Sequence, residues 1–343
     1  MIRVIHLLPH IRRSGNGIVN AVVDLAIEQA ALGNDVTICS AAGDYAPLLR
    51  SHGVNHLELP TEDWRNLRGF LALRRRLRHL RKSPTDAIVH SHTLGLLILA
   101  VTTGRKRLVH TLHNPWQRFA FLARLVPARF IVLSDRARRG VRARSASVVE
   151  NGIVGSRRYQ VEDVVPRELK RPALVTVCGL YERKGVQDLI AALELTRERW
   201  NLYVVGEGPY RRVLESQVRV ASLERQVRFV GFDEDPLTWV AGADAFALAS
   251  HSEGGALVLT EARMLRRPVI FTSVGDMPSM MRDEAGIAVP PGDAAALATN
   301  LDRLSSSEEE LFRAAAKSQR GLEWYNVSRV ARETLAVYTE SQR

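Results

Sequence analysis

The sequence feature that most constrains the fold is a regular alternation of strand-like and helix-like runs. The first series contains the apolar runs RVIHLL, DVTICS, AIVHSH and RFIVLS, with helix-like stretches between them. A second series begins at ALVTVC and continues through LYVVGEG, VRFVGF, AFALAS and PVIFTS. Such alternation is typical of parallel sheets that carry helices on both faces. The sequence therefore predicts an α/β fold with two doubly wound sheets.

The link between the two series is a polar, irregular segment from Val154 to Pro172, in which the prolines favour a domain boundary. A chain of 343 residues is long enough for two domains that each bury a substantial core. The predicted division is an N-terminal domain over residues 1–165, a C-terminal domain over residues 166–325 and a final helical segment over residues 326–343.

Composition limits the class of protein. Hydrophobic residues make up 46% of the chain and charged residues 25%, as in folded globular proteins. The opening MIRVIHLLPH has the pattern of a buried strand and not of a signal peptide. The apolar run from Leu94 to Val101 is about half the roughly 20 residues that a membrane span needs. Only Cys39 and Cys178 are present, so we expect a reducing cytoplasm and no disulfide framework.

The net charge of +11 is concentrated in the first half of the chain. Residues 1–165 contain 25 lysines and arginines against 12 acidic residues, whereas the remainder contains 23 against 25. A basic domain favours an anionic surface or acceptor as its partner. Nucleic acid has the same charge preference, but no recognised binding motif or basic-aromatic platform accompanies these residues, so nucleic acid is not expected as a partner.

Three short motifs follow successive strands of the C-terminal series. They are Lys184-Gly185, the turn Gly206-Glu207-Gly208-Pro209, and the glutamates Glu253 and Glu261 in SEGGALVLTEA. Each motif alone has little specificity. Together they lie at strand-to-helix junctions, which converge at the carboxyl edge of a parallel sheet where ligands bind. The three motifs therefore indicate a nucleotide-sugar site.

In this order, the motifs resemble those of the retaining GT-B glycosyltransferases, in particular glycosyltransferase family 4, over nearly the whole chain. The resemblance implies two Rossmann-like domains facing across a cleft. It also implies that the C-terminal domain holds a nucleoside diphosphate sugar, that the N-terminal domain presents the acceptor, and that the helix in 326–343 packs back on the N-terminal domain. The matching positions are Cys178-Gly179-Leu180, Lys184-Gly185, Gly206 to Pro209, Ser250, Glu253, Glu261-Ala262, Pro268-Val269 and Gly275 to Pro278.

The resemblance also assigns roles to single residues. It assigns Glu261 to the ribose hydroxyls and Glu253 to the transferred sugar, while Lys184 and a helix N-terminus would meet the diphosphate. The alternatives are a solvated lysine, capping or surface acids, glycines that only form turns, and a loop that only begins a helix. The expected catalytic residues are His113, Glu253 and Lys184. The expected donor-binding residues are Asn16, Gly17, Lys184, Gly206, Gly208, Glu253, Gly254, Gly255, Ala256, Leu257 and Glu261.

Two positions depart from the family pattern. Gly179 stands where the family usually has a phosphate-binding arginine, and Gly255-Ala256 stands where it more often has Phe-Gly. Glycine cannot stabilise charge on the leaving diphosphate as a guanidinium does. Arg183 is adjacent to Lys184 and is expected to point elsewhere. Arg12 or Arg13, in the N-terminal loop, is expected to reach across the cleft instead.

Several histidines lie at strand ends. His113 matches the family position that faces the reacting sugar, where a hydrogen bond would steady the transition state. His90 and His92 face the same way and, with His110, could be mistaken for the ligands of a zinc site. No aspartate or glutamate lies near these strands, so we expect neither a metal nor a cofactor. For His90 and His110 we expect bonds to neighbouring side chains.

Residues 67–82, LRGFLALRRRLRHLRK, predict a strongly amphipathic basic helix. It is either a helix that only covers the sheet or one that also docks on anionic lipid. Its apolar stripe is Phe70, Leu73, Leu77 and Leu80, and its basic sector is Arg74, Arg75, Arg78, Arg81 and Lys82. A second run after His113 predicts an acceptor-lipid rim or a buried helix, and it contains Trp116, Arg118, Phe119, Phe121 and Arg124.

The resemblance implies a metal-independent, hexosyltransferase-like retaining enzyme in which the departing diphosphate oxygen takes the acceptor's proton. The expected acceptor is a glycan or lipid-linked sugar of the cell envelope, and the expected location is the cytoplasm, peripheral at the inner face of the membrane. Two alternatives remain open. One is a catalytically weak GT-B partner subunit that binds nucleotide sugar or glycan, which the loss of arginine at position 179 favours. The other is a nucleotide-sugar epimerase, which needs acid and base groups on the sugar.

Overall fold

The computed structural model describes residues 1–59, 67–79, 87–104, 107–113, 126–141 and 146–340. The chain forms two compact units. The N-terminal unit comprises Met1–Arg158 together with Tyr325–Arg343, and the C-terminal unit comprises Tyr159–Trp324. The boundary expected at residues 165 and 166 lies in the irregular segment that follows Arg158.

In its described residues, the N-terminal unit is built on a sheet of seven strands in which the paired strands run parallel. The strand order is β3-β2-β1-β4-β5-β6-β7, so the direction of winding reverses between β1 and β4. The strands are β1 (Arg3–His10), β2 (Asp35–Ala41), β3 (Asn55–Glu58), β4 (Ile88–Ser91), β5 (Leu108–Leu112), β6 (Arg129–Val132) and β7 (Ala146–Val148). The helices of this part of the chain are α1 (Gly17–Ala31), α2 (Ala46–Ser51), α3 (Leu67–His79), α4 (Leu94–Thr102) and α5 (Asp135–Val141).

The basic helix α3 covers the sheet with its apolar stripe. Leu73 and Leu77 are buried and Phe70 is partly buried in a cluster with residues of β1, β2 and β4. Arg74 Nε donates a hydrogen bond to the carbonyl of Thr102 at 3.2 Å, which fixes α3 against α4. Arg68, Arg75 and Arg78 are exposed. The other stripe and basic positions, Leu80, Arg81 and Lys82, lie outside the described residues, as does the whole run from Trp116 to Arg124.

The C-terminal unit is built on a six-stranded sheet of parallel pairs, with winding that reverses between β8 and β11. The order is β10-β9-β8-β11-β12-β13. The strands are β8 (Ala173–Val177), β9 (Asn201–Val205), β10 (Val227–Gly231), β11 (Ala245–Leu248), β12 (Val269–Thr272) and β13 (Ile287–Val289). The helices are α6 (Val186–Leu195), α7 (Arg211–Val220), α8 (Leu237–Gly242), α9 (Leu257–Met264), α10 (Met277–Met280), α11 (Ala294–Ser305) and α12 (Glu308–Ser318).

The last helix, α13 (Val327–Glu340), belongs to the N-terminal unit. Its buried side chains Val330, Val337 and Tyr338 pack with Val4 of β1 and Leu25 of α1. Both sheets alternate with helices as the sequence predicts, which confirms the doubly wound α/β class. None of the helices in the described ranges combines the length and the apolar character that crossing a bilayer demands.

Candidate functional site

Lys184 and Glu253 meet at the point where the winding of the C-terminal sheet reverses. Lys184 ends the short 3₁₀ turn after β8, and Glu253 lies in the loop after the neighbouring strand β11. Lys184 Nζ forms an ion pair with Glu253 Oε1, and the two side chains are only 17% and 9% exposed. Ligands of open α/β sheets bind at such reversal points. The structure therefore brings together the two residues predicted to hold the diphosphate and the sugar.

Ser250 is a second partner of the Glu253 carboxylate. Its Oγ donates to Glu253 Oε1 at 3.0 Å, and its own carbonyl accepts a hydrogen bond from Thr272 Oγ1 at 2.5 Å. Ser250 is fully buried, so these bonds form away from water. The motif order contains Ser250, but the sequence alone assigns no role to its side chain. The structure shows that it holds Glu253 in place.

Two glycine turns press against the loop that carries Glu253. Gly185 and Gly275 have φ angles of 67° and 58°, which side chains rarely adopt. A Cβ on Gly185 would lie 1.8 Å from the carbonyl oxygen of Ala249, and one on Gly275 would lie 1.7 Å from that of Glu253. Asp276 N also donates to the carbonyl of Gly254 at 2.9 Å. Glycine is required here because backbone packs directly on backbone.

Gly206 and Gly208 allow the loop after β9 to lie on the loop after β8. Gly206 has φ 135°, and a Cβ there would lie 2.0 Å from the carbonyl oxygen of Cys178. A Cβ on Gly208 would lie 2.2 Å from the carbonyl oxygen of Leu180. Contact between the two loops is therefore enough to require both glycines. Approach to a ligand stays a prediction for them.

The segment from Gly254 to Leu257 leads into the N-terminus of α9, with Ala256 as its N-cap residue. Within the described part of the chain, no side chain caps the first amide groups of α9, so they are donors for an anion. Glu261 lies on the second turn of α9 and is half-buried. A capping acid would lie in the first turn, so this position does not favour that alternative for Glu261.

The region around Gly179 contains the aromatic ring of Tyr181 and the guanidinium of Arg183. A Cβ on Gly179 would lie 3.1 Å from Tyr181 Cε2. The guanidinium carbon of Arg183 lies 5.9 Å from the centre of the Tyr181 ring, and Arg183 Nη1 donates to the carbonyl of Ser252 at 3.3 Å. The expectation that Arg183 does not point the same way as Lys184 stays a prediction. The two long side chains diverge from one turn but reach consecutive residues, Ser252 and Glu253.

In the N-terminal unit, Asn16 and Gly17 begin α1. Asn16 is exposed and its Oδ1 accepts a hydrogen bond from Ile18 N at 3.0 Å, as an N-cap residue does. The side chain therefore has the helix-starting role, and donor contact stays a prediction. Arg12 and Arg13 are exposed, and the Arg13 guanidinium lies 5.4 Å from the ring centre of Tyr45.

His113 follows β5 and is half-buried beside His92. Its Nε2 lies 3.1 Å from His92 Nδ1. His110 is buried and its Nδ1 lies 2.8 Å from Ser91 Oγ, while His90 contacts Tyr338 OH at 2.6 Å and Thr111 Oγ1 at 2.7 Å. The prediction that neighbouring side chains satisfy His90 and His110 is confirmed.

The cluster of histidines in the structure differs in one member from the set His90, His92 and His110 that the sequence suggested. In the part of the chain that is described, His6, His90 and His92 have ring nitrogens within 4.8 Å of one another. His6 takes the place of His110 because β1 pairs with β4 and sets His6 opposite His90. Each ring nitrogen of these three residues already has a hydrogen-bond partner. A metal would have to displace those bonds.

Burial keeps these histidines neutral. It lowers the pKa of His6 and of His110 from 6.5 to about 4. It lowers the pKa of His113 to about 3, and the pKa values of His90 and His92 lie well below 6.5 for the same reason. A neutral imidazole donates through one ring nitrogen and accepts through the other. The cluster therefore offers directed hydrogen bonds and no positive charge.

Comparisons with known proteins match both halves of the chain to glycosyltransferase families. The family described as "Glycosyl transferases group 1" matches residues 171–307, and that described as "Glycosyltransferase Family 4" matches residues 15–155. The phosphatidyl-myo-inositol mannosyltransferase of Mycobacterium leprae is 30% identical over 274 residues, which are 75% of this chain and 67% of that protein.

Two further proteins complete the comparison. The putative teichuronic acid biosynthesis glycosyltransferase TuaC of Bacillus subtilis is 31% identical over 168 residues, 46% of this chain and 41% of that protein. The chain spans less than half the length of several curated relatives, TuaC among them. The crystal structure of Anabaena Alr3699/HepE in complex with UDP and glucose has a TM-score of 0.80 and 18% identity, and the likeness covers 99% of this chain and 100% of that one.

Proposed function

Because the chain belongs to the group 1 glycosyltransferases, which have the GT-B fold, we propose that it transfers a sugar from a nucleoside diphosphate sugar to a hydroxyl group of an acceptor. The observation that carries the proposal is the buried Glu253, which Lys184 and Ser250 hold at the reversal point of the C-terminal sheet. A fixed, buried carboxylate beside a cation suits a ligand that has both hydroxyl groups and phosphates. The complex of HepE with UDP and glucose supports this class of donor.

The donor's diphosphate would take Lys184 as its main cation. Lys184 is bound to Glu253, so the incoming phosphate would share or replace that ion pair. Arg183 lies next to it and would supply the second cation, in place of the arginine that position 179 lacks. The first amide groups of α9 would donate to the phosphate oxygens. Glu261 would bind the ribose hydroxyls and Glu253 those of the sugar.

The reaction we propose proceeds with retention at the anomeric carbon. The bond from that carbon to the diphosphate oxygen breaks, the bond to the acceptor oxygen forms on the same face, and the diphosphate oxygen takes the acceptor's proton. Negative charge on the leaving group is greatest in the transition state, so Lys184 and Arg183 would act mainly there. Because these two cations and the α9 amides would stabilise the charge on the leaving group, we propose that the reaction needs no metal.

For the acceptor, we propose a lipid-linked sugar or glycan of the cell envelope. The relative TuaC is named for teichuronic acid biosynthesis, and the relative from M. leprae for a mannosyl transfer to phosphatidyl-myo-inositol. The basic N-terminal unit suits an anionic acceptor. The exposed arginines of α3 would hold the protein against an anionic membrane, as a peripheral protein at its cytoplasmic face.

The proposal is tested by a thermal-shift screen of nucleotide sugars followed by assays with the donor that binds. A ligand that binds only the native state raises the unfolding midpoint in proportion to the logarithm of its concentration. Transfer to an acceptor, with the product's anomeric configuration determined by NMR, is the expected result, and it should continue in EDTA. A screen in which no nucleotide sugar raises the midpoint would contradict donor binding. A new sugar nucleotide formed without acceptor would indicate an epimerase.

A further inference from the structure

A continuous line of side-chain hydrogen bonds crosses the N-terminal sheet at the reversal between β1 and β4. Gln29 Oε1 lies 2.9 Å from His6 Nε2, and His6 Nδ1 lies 3.0 Å from His92 Nε2. His92 Nδ1 lies 3.1 Å from His113 Nε2, at the end of the line. Gln29, His6 and His92 are almost fully buried, whereas His113 is half-buried at the carboxyl end of β5. The line therefore runs from the interior of the unit to a partly accessible ring.

The donor and acceptor of each hydrogen bond in this line can be derived from Gln29, because its carboxamide oxygen can only accept a hydrogen bond. The carboxamide oxygen of Gln29 is an acceptor, so His6 Nε2 carries the proton and donates to it. A neutral ring has one N–H group, so His6 Nδ1 accepts from His92 Nε2. By the same reasoning His92 Nδ1 accepts from His113 Nε2. The remaining nitrogen of His113, Nδ1, is left with a lone pair.

A contact with Tyr338 of α13 supports the orientation of the Gln29 side chain in which Oε1 faces His6. Gln29 Nε2 donates to Tyr338 OH at 3.3 Å, and the Tyr338 hydroxyl lies 2.6 Å from His90 Nδ1. Because the amide nitrogen of Gln29 donates to Tyr338, the carboxamide oxygen faces His6. The sequence separation between Gln29 and Tyr338 is 309 residues, which shows that the fold, and not a local motif, sets the direction.

We infer that Gln29, His6 and His92 fix the ring tautomer of His113, so that its unprotonated Nδ1 accepts a hydrogen bond from a substrate hydroxyl group. His113 and His92 line a small pocket with Thr111 and Asn151. An accepting, uncharged ring suits a reaction whose sugar carbon gains positive character, because an imidazolium would repel it. The hydroxyl's identity rests on the proposed function, whereas the tautomer of His113 does not.

The tautomer can be measured directly in the whole chain by NMR of the histidine ring nitrogens at pH 7, with His113 assigned from a His113→Asn variant. The native protein should show His113 with its proton on Nε2. His92→Leu removes the acceptor, so His113 should become a mixture of both tautomers. His92→Asn should restore the native tautomer, because Oδ1 of asparagine stands close to the position of histidine Nδ1. Gln29→Leu, at the other end of the line of hydrogen bonds, should also give His113 a mixture of both tautomers.

Kinetics give the second readout. In His92→Leu, kcat should fall about tenfold or more while the KM of the donor changes little, and His92→Asn should recover most of the loss. Ser91→Ala is the matched control. It removes the hydrogen-bond partner of the buried His110, which is not part of the line. Its kcat and its His113 tautomer should both be native.

Two results would overturn the inference. One is a native His113 that carries its proton on Nδ1 or shows both tautomers. The other is a folded His92→Leu variant with the native His113 tautomer and native kcat. If the native protein transfers no sugar, the proposed function fails, but the NMR measurement still decides the tautomer.

Discussion

Lys184 and Glu253 form an ion pair although they are 69 residues apart and follow different strands. The strands are β8 and β11, which are neighbours where the sheet reverses its winding. The pair is mostly shielded from water, and Ser250 supplies a second donor to the same carboxylate oxygen. Both side chains are therefore held in position before any ligand arrives, which lowers the cost of ordering them on binding.

We predict that Lys184→Ala weakens binding of the donor by about ten- to hundredfold, because a charge-assisted hydrogen bond contributes roughly 1.5–3 kcal/mol. Calorimetry with the donor identified by the thermal-shift screen measures the effect. Lys170→Ala, a change of an exposed lysine in the same unit, is the control and should bind normally. Equal affinity in Lys184→Ala and Lys170→Ala would remove Lys184 from the site.

Ser250→Ala should lower kcat more than it lowers donor affinity. The variant removes one of the two donors that orient Glu253, while the ion pair with Lys184 stays. Loss of a buried hydrogen bond to a charged group costs about 1.5–3 kcal/mol, which is about ten- to hundredfold in rate. Ser250→Thr should retain activity, because it keeps the hydroxyl. A Ser250→Ala enzyme with native kcat would show that Lys184 alone positions Glu253.

The buried histidines predict a loss of stability in acid. The pKa of His6 and of His110 falls from 6.5 to about 4 on folding, so above pH 6.5 neither state of the protein binds a proton at these rings. Between pH 6.5 and about 4 the unfolded chain binds protons that the native state does not, and the free energy of unfolding falls. Each such histidine contributes a slope of about 1.4 kcal/mol per pH unit.

Urea unfolding at pH 7, 6 and 5 measures this slope. In His110→Gln the slope should decrease by about the contribution of one histidine, because one titrating ring is removed. Equal free energies of unfolding at pH 7 and pH 5 would contradict the burial of these neutral rings.

The fold was more predictable from the sequence than the site. Alternating apolar strands and helices define both sheets, since strands such as β4, β5, β9, β11 and β12 are buried along their whole length. The meeting of Lys184 and Glu253 was expected for the same reason, because both follow strands whose ends converge. The part played by His6 was not expected, since it depends on β1 pairing with β4. The bond from Arg183 to the carbonyl of Ser252 was also not expected, because the path of a long side chain is set by its surroundings.

The exposed arginines of α3 predict binding to anionic membranes. Each basic residue at such a surface contributes about 1 kcal/mol, so reversing Arg68, Arg75 and Arg78 to glutamate should abolish co-sedimentation with vesicles rich in phosphatidylserine. Activity on a soluble acceptor should change little. The matched control reverses three exposed arginines of the C-terminal unit, Arg212, Arg219 and Arg225, and produces the same change of net charge. If both triple variants lose binding equally, the attraction comes from net charge and not from α3.

Arg183 gives the sharpest test of how the chain works without an arginine at position 179. If Arg183 supplies the second cation, Arg183→Ala should lower kcat far more than donor affinity, because the charge on the leaving group is greatest in the transition state. Arg225→Ala is the control for an exposed arginine of the same unit. Arg12→Ala and Arg13→Ala test the earlier prediction that an N-terminal arginine does this work.

The region around Gly179 also allows a rescue experiment. A side chain at position 179 would begin 3.1 Å from the Tyr181 ring, so Gly179→Arg alone should be poorly accommodated. Combined with Tyr181→Ala, it gains the space that the ring occupies, and it should restore transfer to the Arg183→Ala enzyme. Steady-state transfer by the native protein, the single variants and this triple variant decides the question. Full activity in Arg183→Ala, with loss in Arg12→Ala or Arg13→Ala, would assign the second cation to the N-terminal loop instead.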